Sequence, residues 1–442
     1  MKADNLKKEI SGLSAFVMVI GTIIGAGIFF KPSAVFGSAG TASLGLIAWV
    51  IGGLLALTGG LTVAEIGTLI PETGGMMTYM EKIYGRFWGY LIAYVQTVIF
   101  YPVRIAAAAV ICATQMVNLL GVSQGKIIPV AVAIVLFINF INSIGNKATD
   151  LLQNLATILK FLPIILIILV GLFFNPNPVK VELLPIVSPS TDLAAGLSAA
   201  VLATLYATDG WMNVTNIAGE MKNPGRDLPK AIVGGILMVM VVYLAINVAY
   251  LRILPVAAIA ATATPAADAA NILFPHLGGK LITIGILISV FGSQTGFVRA
   301  SWRVPYAMGL RNMLPCSRFF SKLTKGADMP VNSGMFIMFL TLFDLICIHD
   351  FNILADIGSF VIWFFYVLTF IGIFILRKKW PDRPRPYRVP LYPLVPILGA
   401  VGGIMVLAST IIYQPSLAMI SIGASLTGIP IYLLVNARQK QA

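Results

Sequence analysis

Three groups of residues stand out in a chain that is otherwise apolar. The first is Gly21-Thr22-Ile23-Ile24-Gly25-Ala26-Gly27-Ile28-Phe29, in the middle of a hydrophobic segment. Glycine favours backbone that departs from a helix. If the helix unwinds at Gly25, Ala26 and Gly27, the helix that resumes has free N–H groups and the positive end of a dipole, where a carboxylate binds. The carbonyls that end the preceding half, near Thr22 and Ile23, would accept from an ammonium group. One break would thus recognise both ends of a zwitterion. Taken alone, Gly21-x-x-x-Gly25 is also a small-residue packing motif. The second group, Tyr206-Ala207-Thr208-Asp209-Gly210-Trp211, interrupts a later segment and tips the balance toward a site. It would add further carbonyls for the ammonium, with Tyr206 placed to cover the substrate as an aromatic gate. Asp209 costs about 2.5–3.5 kcal/mol at a helix centre in lipid, so it must face a cavity or a partner; capping the following half-helix is the expected role. The third is Lys160, well inside the apolar run Ile158-Leu159-Lys160-Phe161-Leu162-Pro163. An intramembrane ammonium is a functional residue by default, and here it could tie the first helix to the eighth through carbonyl and hydroxyl oxygens.

The elements that hold these groups are membrane spans. Of the 442 residues, 58% are hydrophobic and 11% charged, against about 25% charged in a soluble domain. Segments of the roughly 20 apolar residues needed to cross a bilayer recur along the chain. About twelve are expected, at 13–36, 43–70, 87–119, 127–144, 152–174, 193–219, 231–251, 281–310, 331–349, 353–376, 391–413 and 417–435; they are called spans one to twelve below. Spans one and six carry the breaks and stand five apart. Paired interruptions in two halves point to an inverted-repeat transporter architecture. Spans one to five (about 12–174) would repeat as six to ten (about 192–377), with two added helices (about 391–436), all in one transmembrane domain.

With a cytoplasmic N-terminus, the loops on that side hold Lys and Arg in about fivefold excess over the opposite loops, as the positive-inside rule requires. Both termini are then cytoplasmic, and the net charge of +13 reflects topology rather than nucleic acid binding. The first segment reads as a retained helix rather than a cleaved signal. Cys112, Cys316 and Cys347, with His276 and His349 as the only imidazoles, are too few and too scattered for a disulfide framework or a metal centre. No cofactor site and no enzymatic cluster of catalytic groups are evident. Arg104 could line a vestibule or pair with a carboxylate. Glu65, Arg299 and Arg303 are read as reaching the membrane interface.

These motifs are similar to those of L-type amino acid transporters, in the amino acid–polyamine–organocation superfamily. The glycine run of span one resembles their first-helix signature, and Gly219-Glu220-Met221-Lys222-Asn223-Pro224 their loop after span six. Lys160 matches the fifth-helix lysine, and Phe291-Gly292-Ser293-Gln294-Thr295-Gly296 the eighth-helix segment. The resemblance spans the chain and is strongest to prokaryotic serine/threonine and alanine–serine–cysteine exchangers. It implies a LeuT-type fold with discontinuous helices one and six. It also implies sodium-independent exchange of small neutral L-amino acids such as Ala, Ser, Thr and Cys across the cell membrane. Carboxylate binding at the backbone of Gly25, Ala26 and Gly27 follows from it, as does ammonium binding at the carbonyls of Ile23, Tyr206 and Asp209. The implied gating and coupling set is Lys160, Tyr206, Trp211, Ser293 and Thr295. Ala26, Thr208 and Thr295 depart from residues common in the family, so pocket size does not carry over. Eukaryotic members join a glycoprotein through a cysteine between spans three and four; the corresponding loop, 121–126, has none, so no disulfide-linked heavy chain is expected. Proton-coupled symport, with Asp209 or Glu65 titrating, and a non-transporting amino acid sensor are the alternatives.

Overall fold

The computed structural model describes residues 10–72, 74–144, 159–189, 192–275, 277–324 and 329–441. Among them the chain is all-α; the one extended pairing is an isolated bridge between Ile10 and Met221. Nine helices among the described residues are long and apolar enough to cross a membrane. A tenth span is the bent pair Gly12–Ile23 and Gly27–Ala39, which meet at 46°. Two shorter apolar helices, Phe161–Phe174 and Val331–Cys347, fall at spans five and nine. The start of span five, with Lys2, Lys7, Lys8, Lys147, Lys325 and His276, lies outside the described residues.

Local chemistry sets the ends of these helices. Ser11 accepts from the Ser14 amide at 3.1 Å, and Asp192 from those of Ala194 and Ala195 at 2.9 and 3.1 Å. Asp350 accepts from the Ile353 amide at 2.9 Å, opening the helix Phe351–Lys379. Each side chain satisfies donors that the first turn leaves free. Gly40 and Gly121 end helices in the left-handed region, at φ 70° and 64°, which glycine enters without a Cβ penalty.

Burial separates an inner from an outer set. The apolar stretch of Arg86–Leu120 is 89% buried in the protein and that of Pro415–Ala437 only 22%. Span three therefore runs through the interior, and span twelve faces lipid. Inside span three the turn Gln96–Phe100 is a π-helix, just before Pro102. Proline has no N–H and its ring crowds the carbonyl four residues back, so the widened turn relieves it. The turn also aims Gln96, Tyr101 and Arg104 at the central cavity.

Span six departs from expectation. Its α-helix, Leu193–Thr208, ends at Asp209, and the chain continues through Trp211–Glu220 as a ten-residue 3-10 helix rather than a second α-helix. Two short helices between spans seven and eight, Val256–Ala261 and Pro265–Leu273, are not evident from hydropathy.

Glu65 does not reach an interface. It is fully buried near the end of span two. Arg377 grips its carboxylate with two bonds, at 2.9 and 2.7 Å, Arg385 Nε stands at 3.3 Å, and the Val389 amide donates at 2.7 Å. The loop after span ten therefore folds back over the end of span two. A buried carboxylate needs such partners. Losing both arginines would leave an uncompensated charge, at a cost of about 3–5 kcal/mol.

Candidate substrate site

Both breaks form, and they lie against each other. In span one the ladder closes where the Ile24 amide donates to Ile20 O at 2.9 Å and resumes where the Phe29 amide donates to Ala26 O at 3.1 Å. In span six the helix stops at Thr208, and Gly210 turns the chain at φ 119°. The Thr22 hydroxyl lies within hydrogen-bond reach of Met18 O and Val19 O in its own helix, at 2.9 and 3.0 Å, and of Gly210 O at 3.1 Å, so it sits between the two breaks. A Cβ on Gly210 would meet Thr22 O at 2.7 Å, so only glycine fits there, for conformation and for space. Gly27 is equally close: a Cβ there would lie 2.5 Å from Ala207 Cα. The cost of bulk at Gly27 is thus first a collision between spans one and six, and only second a blocked approach to the backbone.

A cavity of about 440 Å³ opens beside the break of span one. Of the residues singled out in the sequence, Thr22, Ile23, Gly25, Ala26, Gly27, Tyr206, Lys160 and Ser293 line it. Ala207, Asp209, Trp211 and Thr295 do not. Trp211 is buried against Tyr366, with ring centres 5.1 Å apart. Thr295 is fully buried, and its hydroxyl bonds Phe291 O within its own helix.

Asp209 has a different partner set from the expected cap. The 3-10 helix after it has no side-chain cap. Its carboxylate accepts from Tyr366 of span ten at 2.6 Å and from Arg104 of span three at 3.1 Å. A full charge attracts these two donors more strongly than neutral amides at the start of a 3-10 turn would. Arg104 also lies over the Tyr206 ring, 4.2 Å from its centre, within cation–π range. Of the two roles open to Arg104, the structure combines both: it lines the cavity and pairs with a carboxylate.

The Lys160 ammonium is buried and donates to Gly21 O at 2.6 Å and Ile24 O at 3.1 Å. It holds the carbonyl ends of the broken helix. The link to span eight is not made through Ser293, whose hydroxyl bonds Ser289 O. Arg299 and Arg303 line the cavity instead of turning to an interface. With Gly74, Met77, Asn213, Asn216 and Ala307 they lead from the break toward the end of the molecule where the loops after spans two, six and eight lie.

Two residues were not singled out from the sequence. Tyr243 of span seven is buried, and its hydroxyl reaches Ile23 O at 3.1 Å and Ala207 O at 3.0 Å, one carbonyl from each break. Lys31, fully buried just after the first break, pairs with Asp356 of span ten at 2.7 Å and bonds Asn352 at 3.2 Å. Its ammonium sits 5.3 Å from the centres of the Tyr206 and Phe351 rings. A lysine inside an apolar span was the available signal, the same one that marked Lys160.

The amino acid permease family profile matches residues 10–435. The chain belongs to the amino acid permease family. This permease is 41% identical to the serine/threonine exchanger SteT of Bacillus subtilis (strain 168), over 99% of its own length and 98% of that protein's. It is 30% identical to the b(0,+)-type amino acid transporter 1 of Mus musculus, over 94% of this chain and 85% of that one. It is 29% identical to the large neutral amino acids transporter small subunit 2 of Homo sapiens, over 97% and 80%. The permease is accordingly a multi-pass membrane protein of a transporter family, related along its whole length to carriers of amino acids.

Proposed function

We propose that this permease exchanges small neutral L-amino acids across the cell membrane by alternating access, without sodium. The observation that carries the reading is the break of span one. Its amides and carbonyls border a cavity, while Lys160 occupies Gly21 O and Ile24 O. A substrate carboxylate would take the amides at Gly25, Ala26 and Gly27. Its ammonium would take carbonyl oxygen near Ile23 and Tyr206. A fixed lysine charge on the broken helix's carbonyls leaves no evident need there for a metal cation. Gln294 supports a hydroxyl-bearing side chain: it borders the same cavity, and its Oε1 is buried without a hydrogen-bond partner among the described residues. The serine/threonine exchanger among the relatives agrees with that choice.

Spans one to five (about 12–174) and six to ten (about 192–377) act as the two moving halves, with both termini cytoplasmic. The cavity then opens inward. Tyr206, the Lys31–Asp356 pair and Phe351 form the closed side. Trp211 supports Tyr366, which in turn holds Asp209, and so acts on the gate from behind.

The test is uptake of radiolabelled serine, alanine and leucine into proteoliposomes, with and without amino acid inside, in sodium-free buffer at matched pH. Exchange requires uptake to depend on internal amino acid. Uptake into empty vesicles that follows an imposed proton gradient would instead make the protein a symporter.

A further inference from the structure

Lys222, Arg226 and Lys230 are all exposed; Arg226 and Lys230 lie in the first turns of the helix Pro224–Ile253, and Lys222 two residues before it. Arg226 and Lys230, four residues apart, share one helix face. The same face continues through Val233 and Gly234 to Leu237, which is 46% exposed. Cations thus occupy the first turns and apolar side chains the next ones, about 10 Å further along the axis at 1.5 Å per residue. Leu61 of span two and Pro386 and Tyr387 of the loop after span ten form the opposite wall of an open groove of about 870 Å³.

None of the three cations has an ion pair among the described residues. The nearest acidic residue along the helix, Asp227, turns the other way: a Cβ on Gly12 of span one would lie 2.9 Å from its carboxyl carbon. The groove also holds the positive end of the thirty-residue helix Pro224–Ile253, where Asn223 makes no side-chain capping bond. Positive charge at one level and apolar wall beneath it match the profile of a lipid, a charged headgroup above its chains.

We propose that this groove binds one anionic phospholipid of the adjoining leaflet, its phosphate between Lys222, Arg226 and Lys230 and an acyl chain along Val233 and Leu237. The site is separate from the substrate cavity and stands whether or not the exchange reading does.

The experiment uses the full chain in nanodiscs of equal phosphatidylglycerol and phosphatidylcholine with matched chains, read by native mass spectrometry. The wild type should retain one phosphatidylglycerol in preference to phosphatidylcholine. The triple variant Lys222→Gln/Arg226→Gln/Lys230→Gln should weaken that retention by roughly a hundredfold, about fivefold per cation. The charge-keeping variant Lys222→Arg/Arg226→Lys/Lys230→Arg should retain it, which separates lost charge from a disturbed fold. Equal retention of the two lipids by the wild type, or an unchanged preference in the triple variant, would overturn the proposal. Displacement by inorganic phosphate as effective as by short-chain phosphatidylglycerol would also overturn it, assigning the groove to a free anion.

Discussion

Spans one and six are both interrupted, but the two interruptions leave their polar backbone in different hands. At span one the open stretch borders the cavity, and a lysine holds its carbonyl ends. At span six the protein itself surrounds the break: the Thr22 and Tyr243 hydroxyls stand within hydrogen-bond reach of Gly210 O and Ala207 O, and the Asp209 carboxylate accepts from Arg104 and Tyr366. Unwound backbone persists in a membrane only where it is buried in protein or lines a wet cavity. The two breaks illustrate the two cases. On the proposed reading, the first is a site and the second the support that keeps it in place.

The sharpest separation of the two comes from adding one methyl group to each. Gly210→Ala puts a Cβ 2.7 Å from Thr22 O at a backbone φ of 119°. Strain of that kind costs about 1–3 kcal/mol before the collision is counted. Transport should be lost, with a clear fall in the melting temperature of the purified protein. Normal stability would mean that the second break is not the rigid support described here. Replacing Arg104 with Met comes next. It leaves Asp209 with Tyr366 alone, and stranding a buried charge costs about 3–5 kcal/mol. Thermal unfolding should register that loss, and Asp209→Asn in the same background should recover part of it.

Lys160→Ala acts on the first break and should spare the fold more than the function. It frees Gly21 O, which borders the cavity where water can replace the ammonium, and leaves Ile24 O as the one carbonyl to lose its partner, at a cost of about 1–3 kcal/mol. Exchange per reconstituted molecule should fall at least tenfold while protein yield changes little. Unchanged exchange would remove Lys160 from the mechanism.

What could be read beforehand follows from the same contrast. Glycine runs, a mid-span aspartate and a mid-span lysine are anomalies of composition, so both breaks and Lys160 are visible without a structure. Partners are not. Asp209 meets Arg104 and Tyr366 from positions 105 and 157 residues away, and hydropathy carries no information on which spans pack together. Glu65 looks interfacial because its neighbours in sequence end a helix; only Arg377 at the end of span ten and the returning loop with Arg385 enclose it. The 3-10 course of 211–220 was also hidden, although Asn213, Val214, Thr215, Asn216 and Gly219 are all weak helix formers.

Gly25→Ala is the counterpart to Gly210→Ala. Its added Cβ would find nothing closer than Ile23 O and Ser293 Cβ at 4.0 Å. The fold should accept it, with an unchanged melting temperature, while the methyl group intrudes on the cavity. The Michaelis constant for serine should rise by about tenfold, the size of a 1.4 kcal/mol loss in binding. A destabilised protein would show that the first break is packed as tightly as the second, and the distinction between site and support would fail.

The smallest effect tests the substrate side of the comparison. Gln294 borders the cavity, and its Oε1 is buried without a partner among the described residues; turned toward the cavity, that oxygen would accept from a serine hydroxyl. A net hydrogen bond of this kind is worth about 0.5–1.5 kcal/mol. Gln294→Leu should therefore lower the preference for serine over alanine by about two- to tenfold in competition exchange, with the alanine rate little changed. If serine and alanine fell together, Gln294 would be shaping the cavity rather than reading the side chain, and selection for a hydroxyl would have to come from elsewhere on its wall.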